Sequence, residues 1–222
     1  MTLESRLAQA LQDEAASDPD ALEVELINAA DRDRILDHLS QHRSPLVRGW
    51  TSGLVRKLRD DRYLPLMRRL AVDRDPDVRN IAYQDLGAYW PSELGKLMPT
   101  LRKELRGDNA VQALWLIAAA RDARSREAVE QVAVDKSRYP YVRNLAGVVL
   151  SILDSDLTAI LSRISSHDHD SMHWLVRAAT MLDANATEPI LLDFIGRAPD
   201  SSCRHYCEMA LRELAPSDIQ RR

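Results

Sequence analysis

The segment from His167 to His173 holds the densest group of side chains that could bind a metal, with three histidines and two aspartates. First-row metals need three or four ligands that converge on one point and are held in orientation by neighbouring groups. A helix that begins near Asp170 leaves His169 outside the helix or at its cap, so His169 and His173 need not share a face. A polar turn between helices explains the composition equally well. We therefore predict no metal site, and His167, His169 and His173 are the candidates should one exist.

The two cysteines are the second group that could react. Cys203 and Cys207 lie four residues apart on a predicted helix, which places their β-carbons about 5–6 Å apart. A disulfide requires about 3.5–4.5 Å between these atoms, so we expect two reduced, small, buried residues. The P-loop pattern, Gly-x-Gly-x-x-Gly and Gly-x-Ser-x-Gly are all absent from the sequence. We therefore predict a protein that is not an enzyme and has no cofactor.

Arginines recur at a fixed place, directly after the residue that anchors each copy of an internal repeat. In one interpretation their guanidinium groups form a ladder that binds carboxylates or phosphates through paired donors. In the other interpretation each arginine pairs with an aspartate or a backbone carbonyl in a turn between helices. This arginine ladder consists of Arg48, Arg79, Arg143, Arg177 and Arg204.

The composition indicates that helices position these residues. The chain has 222 residues, of which 45% are hydrophobic, enough for a packed core. Only seven glycines and one phenylalanine stand against abundant Ala, Leu, Arg, Asp and Glu, which favours helices over strands. The net charge of −4 is spread over mixed acidic and basic residues. This argues against a general nucleic-acid-binding protein, which needs an uncompensated basic face.

No segment of the sequence has the character of a membrane span or a signal peptide. The first six residues already carry charges, so an apolar signal-peptide core is missing there. The longest uncharged stretch, from Asn109 to Ala120, has twelve residues, whereas a transmembrane helix needs roughly 20. We expect a soluble, cytoplasmic protein without a membrane partner.

An internal repeat decides the fold class. The clearest copy reads Asp-Pro-Asp-Val-Arg-Asn-Ile-Ala at residues 75–82. The same frame recurs as Ser-Pro-Leu-Val-Arg at residues 44–48 and as Tyr-Pro-Tyr-Val-Arg-Asn-Leu-Ala at residues 139–146, and weaker copies complete the series. Successive anchors are 27 to 34 residues apart, as paired helices with variable turns would give. The anchors are Val47, Val78, Val111, Val142, Val176 and Cys203.

Each copy of the repeat predicts a helical hairpin. Apolar or small residues fall at the anchor and three, four and eight positions later, which is one face of an α-helix. In the second copy these residues are Val78, Ile81, Ala82 and Leu86. A second apolar helix is predicted between successive anchors, at residues 64–72, 94–105, 127–134, 157–164 and 190–195.

A proline or acidic residue, then Val-Arg, then a small residue four after the valine, resembles the second helix of HEAT repeats, most closely at Val78 and Val142. Gln112 and Trp115 depart from this pattern. The resemblance covers about residues 32–215 and implies an all-α fold, an α–α superhelix or HEAT-like solenoid of about six hairpins. We expect an N-terminal helical cap at residues 1–31, repeats at 32–216 in one continuous domain, and a tail at 217–222. The resemblance to HEAT repeats also favours the interpretation in which each arginine of the ladder pairs with an aspartate or a backbone carbonyl in a turn.

The side of the second helices that turns away from the expected core is the predicted binding surface. Apolar residues such as Tyr83, Ile117 and Val148 occupy positions that are normally polar on a solvated face, which indicates a groove. We expect this concave groove to bind another protein. Its predicted residues are Tyr83, Gln84, Leu116, Ile117, Asn144, Val148, Met181, Leu182, His205 and Glu208.

The leading functional hypothesis is a non-catalytic scaffold or adaptor, an assembly factor or an immunity-type inhibitor, because stacked repeats create an extended rigid surface. HEAT repeats serve many unrelated functions, so two alternatives stay open. One is a lyase or chaperone-like subunit resembling the HEAT-like phycobilin lyases. The other is a nucleic-acid-binding HEAT-like protein, which the acidic composition disfavours. The sequence does not indicate an oligomeric state.

Overall fold

The computed structural model describes residues 2–11, 19–165, 172–197 and 201–214, and every regular element in these ranges is a helix. The all-α prediction is confirmed. Consecutive helices pack against one another, and the chain divides into two compact units, residues 1–100 and residues 101–222. None of the described helices combines the length and apolar composition needed to cross a membrane.

The first unit is built around the contact between two long helices, α4 and α6. Helix α5 packs against both of them, and α3 packs against α4. The first three helices also contact one another. The helices are α1 (Leu3–Ala10), α2 (Pro19–Asn28), α3 (Arg32–Leu39), α4 (Pro45–Leu58), α5 (Leu64–Leu70) and α6 (Pro76–Tyr89), with 3₁₀ turns at Asp61–Tyr63 and Pro91–Glu93.

The second unit is organised around α10 and α12. Helix α10 packs against α8, α9, α11 and α12, while α12 also packs against α11, α13 and α14. Helix α7 (Leu94–Glu104) contains the boundary between the units. The other helices are α8 (Ala110–Ala120), α9 (Arg126–Val134), α10 (Pro140–Leu153), α11 (Leu157–Ser165), α12 (Met172–Leu182), α13 (Ala184–Arg197) and α14 (Ser201–Leu214), with a 3₁₀ turn at Ala123–Ser125.

Local sequence sets the starts of the repeated second helices. Pro45, Pro76 and Pro140 are the first residues of α4, α6 and α10, where a missing N–H costs no helical hydrogen bond. At α6 the cap is complete, because Asp75 Oδ1 accepts hydrogen bonds from the backbone N–H groups of Asp77 and Val78 at 3.0 and 3.3 Å. The proline and acidic residues that define the repeat are therefore helix-start signals.

Most of the repeat anchors lie in the core. Val47, Val78, Val142, Val176 and Cys203 are buried, and Val111 is half-buried. The helices predicted between successive anchors are also observed, as α5, α7, α9, α11 and α13. Of these, α13 starts six residues earlier than expected. The segment predicted as an N-terminal cap contains α1 and α2.

Candidate functional site

The predicted groove does not exist as an exposed apolar surface. Tyr83, Leu116, Ile117 and Val148 are all buried, so the prediction that they face outward was wrong. The buried face of α6 keeps Val78, Ala82 and Leu86 of the repeat frame, but it takes in Tyr83 and Asp85 in place of Ile81, so it is turned by part of one residue.

Helix α8 was misassigned for a different reason. It is buried over most of its circumference, including every residue from Ala113 to Ala118, so it has no solvated face at its centre. In α10, Val148 lies beside Val149 in the core. Of the remaining predicted residues, Gln84 and His205 are exposed, and Asn144, Met181, Leu182 and Glu208 are partly exposed.

Some apolar residues of α4 and α6 that were predicted to be in the core are partly exposed instead. Trp50 and Ile81 occupy the position three residues after their anchors, yet Trp50 is half-buried and Ile81 is 37% exposed. Leu46, in the first turn of α4, is 58% exposed. These three side chains line an open cleft of about 440 Å³ between α4 and α6. We name it the α4–α6 cleft, and its other lining residues are Pro45, Gly49, Asp75, Asp77 and Val78.

Glycine and a close helix contact shape the floor of the α4–α6 cleft. A β-carbon at Gly49 would lie 3.0 Å from Ile81 Cδ1, which is tighter than ordinary van der Waals contact. Glycine therefore lets Ile81 lie directly against the backbone of α4, and any larger residue would require the end of the Ile81 side chain to move by a few tenths of an ångström. The wall formed by Ile81 depends on this approach.

Two carboxylates stand at the end of the cleft, in the α5–α6 turn and the first turn of α6. Asp75 Oδ1 is used as the helix cap, while Asp77 is exposed. Within the described ranges, the Asp77 carboxylate makes no hydrogen bond or ion pair. Both groups lie at a helix N-terminus, where the helix dipole stabilises negative charge. The cleft therefore combines an apolar floor with a negative end.

Buried polar contacts hold the two walls of the cleft in register. Ser52 of α4 donates a hydrogen bond to Asp85 Oδ2 of α6 at 2.8 Å, and Arg56 Nη1 lies 3.4 Å from Asp85 Oδ1. Burial raises the pKa of Asp85, and the bonds from Ser52 and Arg56 only partly offset this. Because a buried carboxylate needs these partners, α4 and α6 are fixed relative to each other.

Three members of the arginine ladder contact turns between helices. Arg48 forms a two-pronged ion pair with Asp73, with Nε–Oδ2 and Nη2–Oδ1 distances of 2.7 Å each. Arg79 Nη1 donates to the carbonyl of Asp73 at 2.9 Å. Arg143 Nη1 donates to the carbonyl of Arg138 at 3.2 Å.

The last two members of the ladder differ. The Arg177 guanidinium lies 4.6 Å from the centre of the Trp115 ring in a cation–π contact, and Arg204 is exposed. The donors of the buried members are thus occupied by protein groups.

The histidine segment and the cysteines provide no visible reaction centre in the described ranges. His167 and His169 lie outside them. His173 is in the first turn of α12, with its ring 4.8 Å from that of Trp174. Within the same ranges no group of three or more His, Cys, Asp or Glu residues could hold a metal ion. Cys203 and Cys207 are free and buried.

The environment of Cys207 is also unsuited to a nucleophile. Burial, with smaller contributions from Cys203 and Glu208, raises the pKa of its thiol to about 11. A thiol with so high a pKa is a poor nucleophile at neutral pH.

Sequence reasoning missed the α4–α6 cleft, although a signal was present. Leu46 and Trp50 are four residues apart and so share one helix face, and that face is offset from the Val47–Thr51 pair. Two apolar stripes on one helix indicate either a helix buried all round or a second, exposed apolar surface. Comparisons with protein-family models, with curated proteins and with solved structures find no match for this chain.

Proposed function

We propose that this protein is a non-catalytic interaction scaffold whose helical hairpins stack as a HEAT-like solenoid and which binds a protein partner in the α4–α6 cleft. The partner would present a short helix with apolar side chains on one face and Lys or Arg at one end. The repeat pattern of the sequence supports the arrangement of hairpins. The exposed apolar lining of the cleft carries the proposal of binding.

The physical argument begins with the exposed side chains. Leu46, Trp50 and Ile81 form a contiguous apolar surface beside charged residues, and such surfaces on soluble domains are typical of protein interfaces. A half-buried tryptophan at the centre of a patch is the kind of side chain that contributes most to binding. A helix laid into a groove would contact these residues with side chains at i, i+3 and i+4.

The charge at the end of the cleft selects the partner. Asp77 and the outward oxygen of Asp75 would pair with a basic residue of the partner, and would disfavour an acidic one by repulsion. Such pairs at the rim of an interface mainly affect the association rate and its salt dependence. The apolar floor would supply most of the affinity.

The test uses the full chain as bait in an extract of the source cells, with captured proteins quantified by mass spectrometry. Leu46→Asp and Ile81→Asp should each reduce capture of the true partner at least tenfold. The melting temperature of Leu46→Asp should change little because Leu46 is exposed, whereas Ile81→Asp should also lose some stability because Ile81 packs against α4. Asp77→Lys should weaken capture and reverse its salt dependence. Calorimetry with the purified partner then measures each affinity directly.

Leu192→Asp is the matched control, because Leu192 of α13 is 56% exposed and lies outside the cleft. It should capture the partner as the wild type does. If the wild-type and Ile81→Asp baits retain the same set of proteins to the same extent, the cleft is not the binding site. If Leu192→Asp alone loses the partner, binding belongs to the second unit.

A further inference from the structure

Two strongly exposed tyrosines mark a different surface, at the start of α10 in the second unit. Tyr139 is 74% exposed and Tyr141 is 51% exposed. Their rings are stacked, with centroids 6.1 Å apart and planes inclined by 23°. Pro140 between them is the first residue of the helix and restricts the backbone. The pair therefore presents flat aromatic surface to solvent in a restricted orientation.

A cleft lined by arginines lies next to this pair along the chain. It has a volume of about 260 Å³ and is formed by α7, α9 and the turns that follow them. Its apolar lining comes from Leu105, Ala128 and Val132. Its polar lining residues are Arg102, Arg106, Gln131, Asp135 and Arg138.

The charges of this cleft do not cancel. Arg102 Nη1 pairs with Asp122 at 2.8 Å, and Arg138 Nε lies 3.6 Å from Asp135. Asp135 also accepts hydrogen bonds from the backbone N–H and the hydroxyl of Ser137, at 2.9 and 2.6 Å. Both acidic groups are thus engaged. Among the described residues, the side chains of Arg106 and Gln131 make no hydrogen bond or ion pair, which leaves one cation and one amide unpaired.

The turn that joins the cleft to the tyrosines is held in place by its own arginines. Arg138 Nη2 donates to the carbonyl of Leu105 at 3.0 Å, which ties this turn to the end of α7. Arg143 Nη1 donates to the carbonyls of Lys136 and Arg138 at 3.3 and 3.2 Å. A ligand that contacts both the cleft and the tyrosines would therefore lose little affinity to ordering of the protein.

We propose that this surface, the Tyr139–Tyr141 pair together with the arginine-lined cleft, binds single-stranded nucleic acid. Bases stack on the tyrosine rings, and a backbone phosphate is held by the Arg106 guanidinium with the Gln131 amide as a second donor. Stacking on aromatic side chains beside a basic groove is the physical basis of binding to single strands without sequence preference.

The overall charge limits the strength of this site without opposing its existence. A net charge of −4 disfavours binding along the whole molecule, so we expect a short footprint, modest affinity and strong dependence on salt. A duplex keeps its bases stacked internally, so the tyrosines gain nothing from it. Single strands should therefore bind more tightly than duplexes of equal charge.

The test is fluorescence anisotropy with labelled oligo(dT) and oligo(U) of about 15 nucleotides at low salt, using the full chain. The double change Tyr139→Ala and Tyr141→Ala should weaken binding about tenfold or more, the range expected for loss of base stacking. The double change to Phe keeps both rings and should bind within about twofold of the wild type. Arg106→Gln should reduce the slope of log K against log salt by about 0.7, the value for one phosphate contact on a single strand.

Arg124→Gln is the matched control for charge, because Arg124 is exposed in the second unit and lies outside the cleft. It should leave the affinity within about twofold. A preference for oligo(U) or oligo(dT) would support the proposal and identify which nucleic acid the site prefers. Absence of saturable binding by the wild type would overturn it. So would an Ala double variant that binds like the wild type, or equal losses in Arg106→Gln and Arg124→Gln, because charge alone would then explain the binding.

Discussion

Removing the Arg48 guanidinium should be among the most destabilising polar substitutions in the first unit. Its side chain is 5% exposed and that of Asp73 is 11% exposed. Besides the two bonds to Asp73, Arg48 Nη1 donates to the carbonyls of His42 and Arg43 at 2.8 and 3.1 Å. In Arg48→Met the methionine fills similar volume but supplies none of these donors. Asp73 would keep only its bond from the N–H of Asp75.

The expected cost follows from leaving a buried carboxylate without its partner. Breaking a buried ion pair in this way costs about 3–5 kcal/mol, and we expect the lower end, about 3 kcal/mol, because Asp73 keeps some contact with water. For a chain of this size each kcal/mol lowers the melting temperature by roughly 2–4 °C. The variant should therefore melt about 6–12 °C below the wild type.

The pH dependence of this difference tests its origin. Burial raises the pKa of Asp73, but the hydrogen bonds and charge of Arg48 outweigh it, so the pKa lies below its ordinary value of 3.8. A carboxylate with a depressed pKa contributes stability above the unfolded-state pKa and loses it as pH falls through the folded-state pKa. The difference in melting temperature between the wild type and Arg48→Met should therefore be largest at pH 7 and become smaller below about pH 4.

Thermal denaturation followed by circular dichroism from pH 3 to 7 measures both effects. Arg204→Met is the matched control, since Arg204 occupies the same repeat position but is exposed, and it should change the melting temperature by less than about 2 °C. A melting temperature of Arg48→Met within 2 °C of the wild type at pH 7 would refute the conclusion that the buried ion pair between Arg48 and Asp73 stabilises the first unit. A gap that persists unchanged at pH 3 would show that lost packing, and not the ion pair, is responsible.

Two further substitutions test the core. Val142→Asp places a carboxylate in the core of α10, where Val142 is 5% exposed, and should cost several kcal/mol; an unchanged denaturation midpoint would show that the repeat register is wrong. Asp85→Asn keeps an acceptor for Ser52 and removes a charge whose pKa is raised by burial. Such a raised pKa lowers stability as pH rises above 3.8, so the Asn variant should melt higher than the wild type at pH 7 and lose this advantage near pH 4. Equal melting curves of the wild type and Asp85→Asn at both pH values would contradict the prediction that the buried charge of Asp85 lowers stability.

The helices were predictable because their signals are local. Proline at the first position and an apolar anchor mark where α4, α6 and α10 begin, and at α6 the side chain of Asp75 adds a cap; these signals involve only neighbouring residues. The burial of the anchors followed from the same periodicity. Hence the all-α class and most helix bounds could be derived from one sequence.

The α4–α6 cleft was not predictable from the repeat frame because helix rotation is a tertiary property. Successive residues of a helix point about 100° apart, so even a partial rotation exchanges residues at the edges of the buried face while its centre stays buried. The frame assigned Ile81 to the core and Tyr83 to the surface, and the packing of α6 reverses both. The contacts that accompany this packing are long-range: the hydrogen bond between Ser52 and Asp85 joins residues 33 positions apart.

That same contact joins the two helices that line the α4–α6 cleft. Asp85 is buried and charged groups in the core need fixed partners, so Ser52 and Arg56 allow few relative positions of α4 and α6. Gly49 then lets Ile81 approach α4 closely on another face of the same helix pair. Burial of Asp85 costs stability, and the hydrogen bond from Ser52 offsets part of that cost while it joins the two helices that form the cleft. Because the cleft walls are fixed before any partner arrives, apolar burial by Leu46, Trp50 and Ile81 would contribute to affinity without a large offsetting loss of conformational entropy.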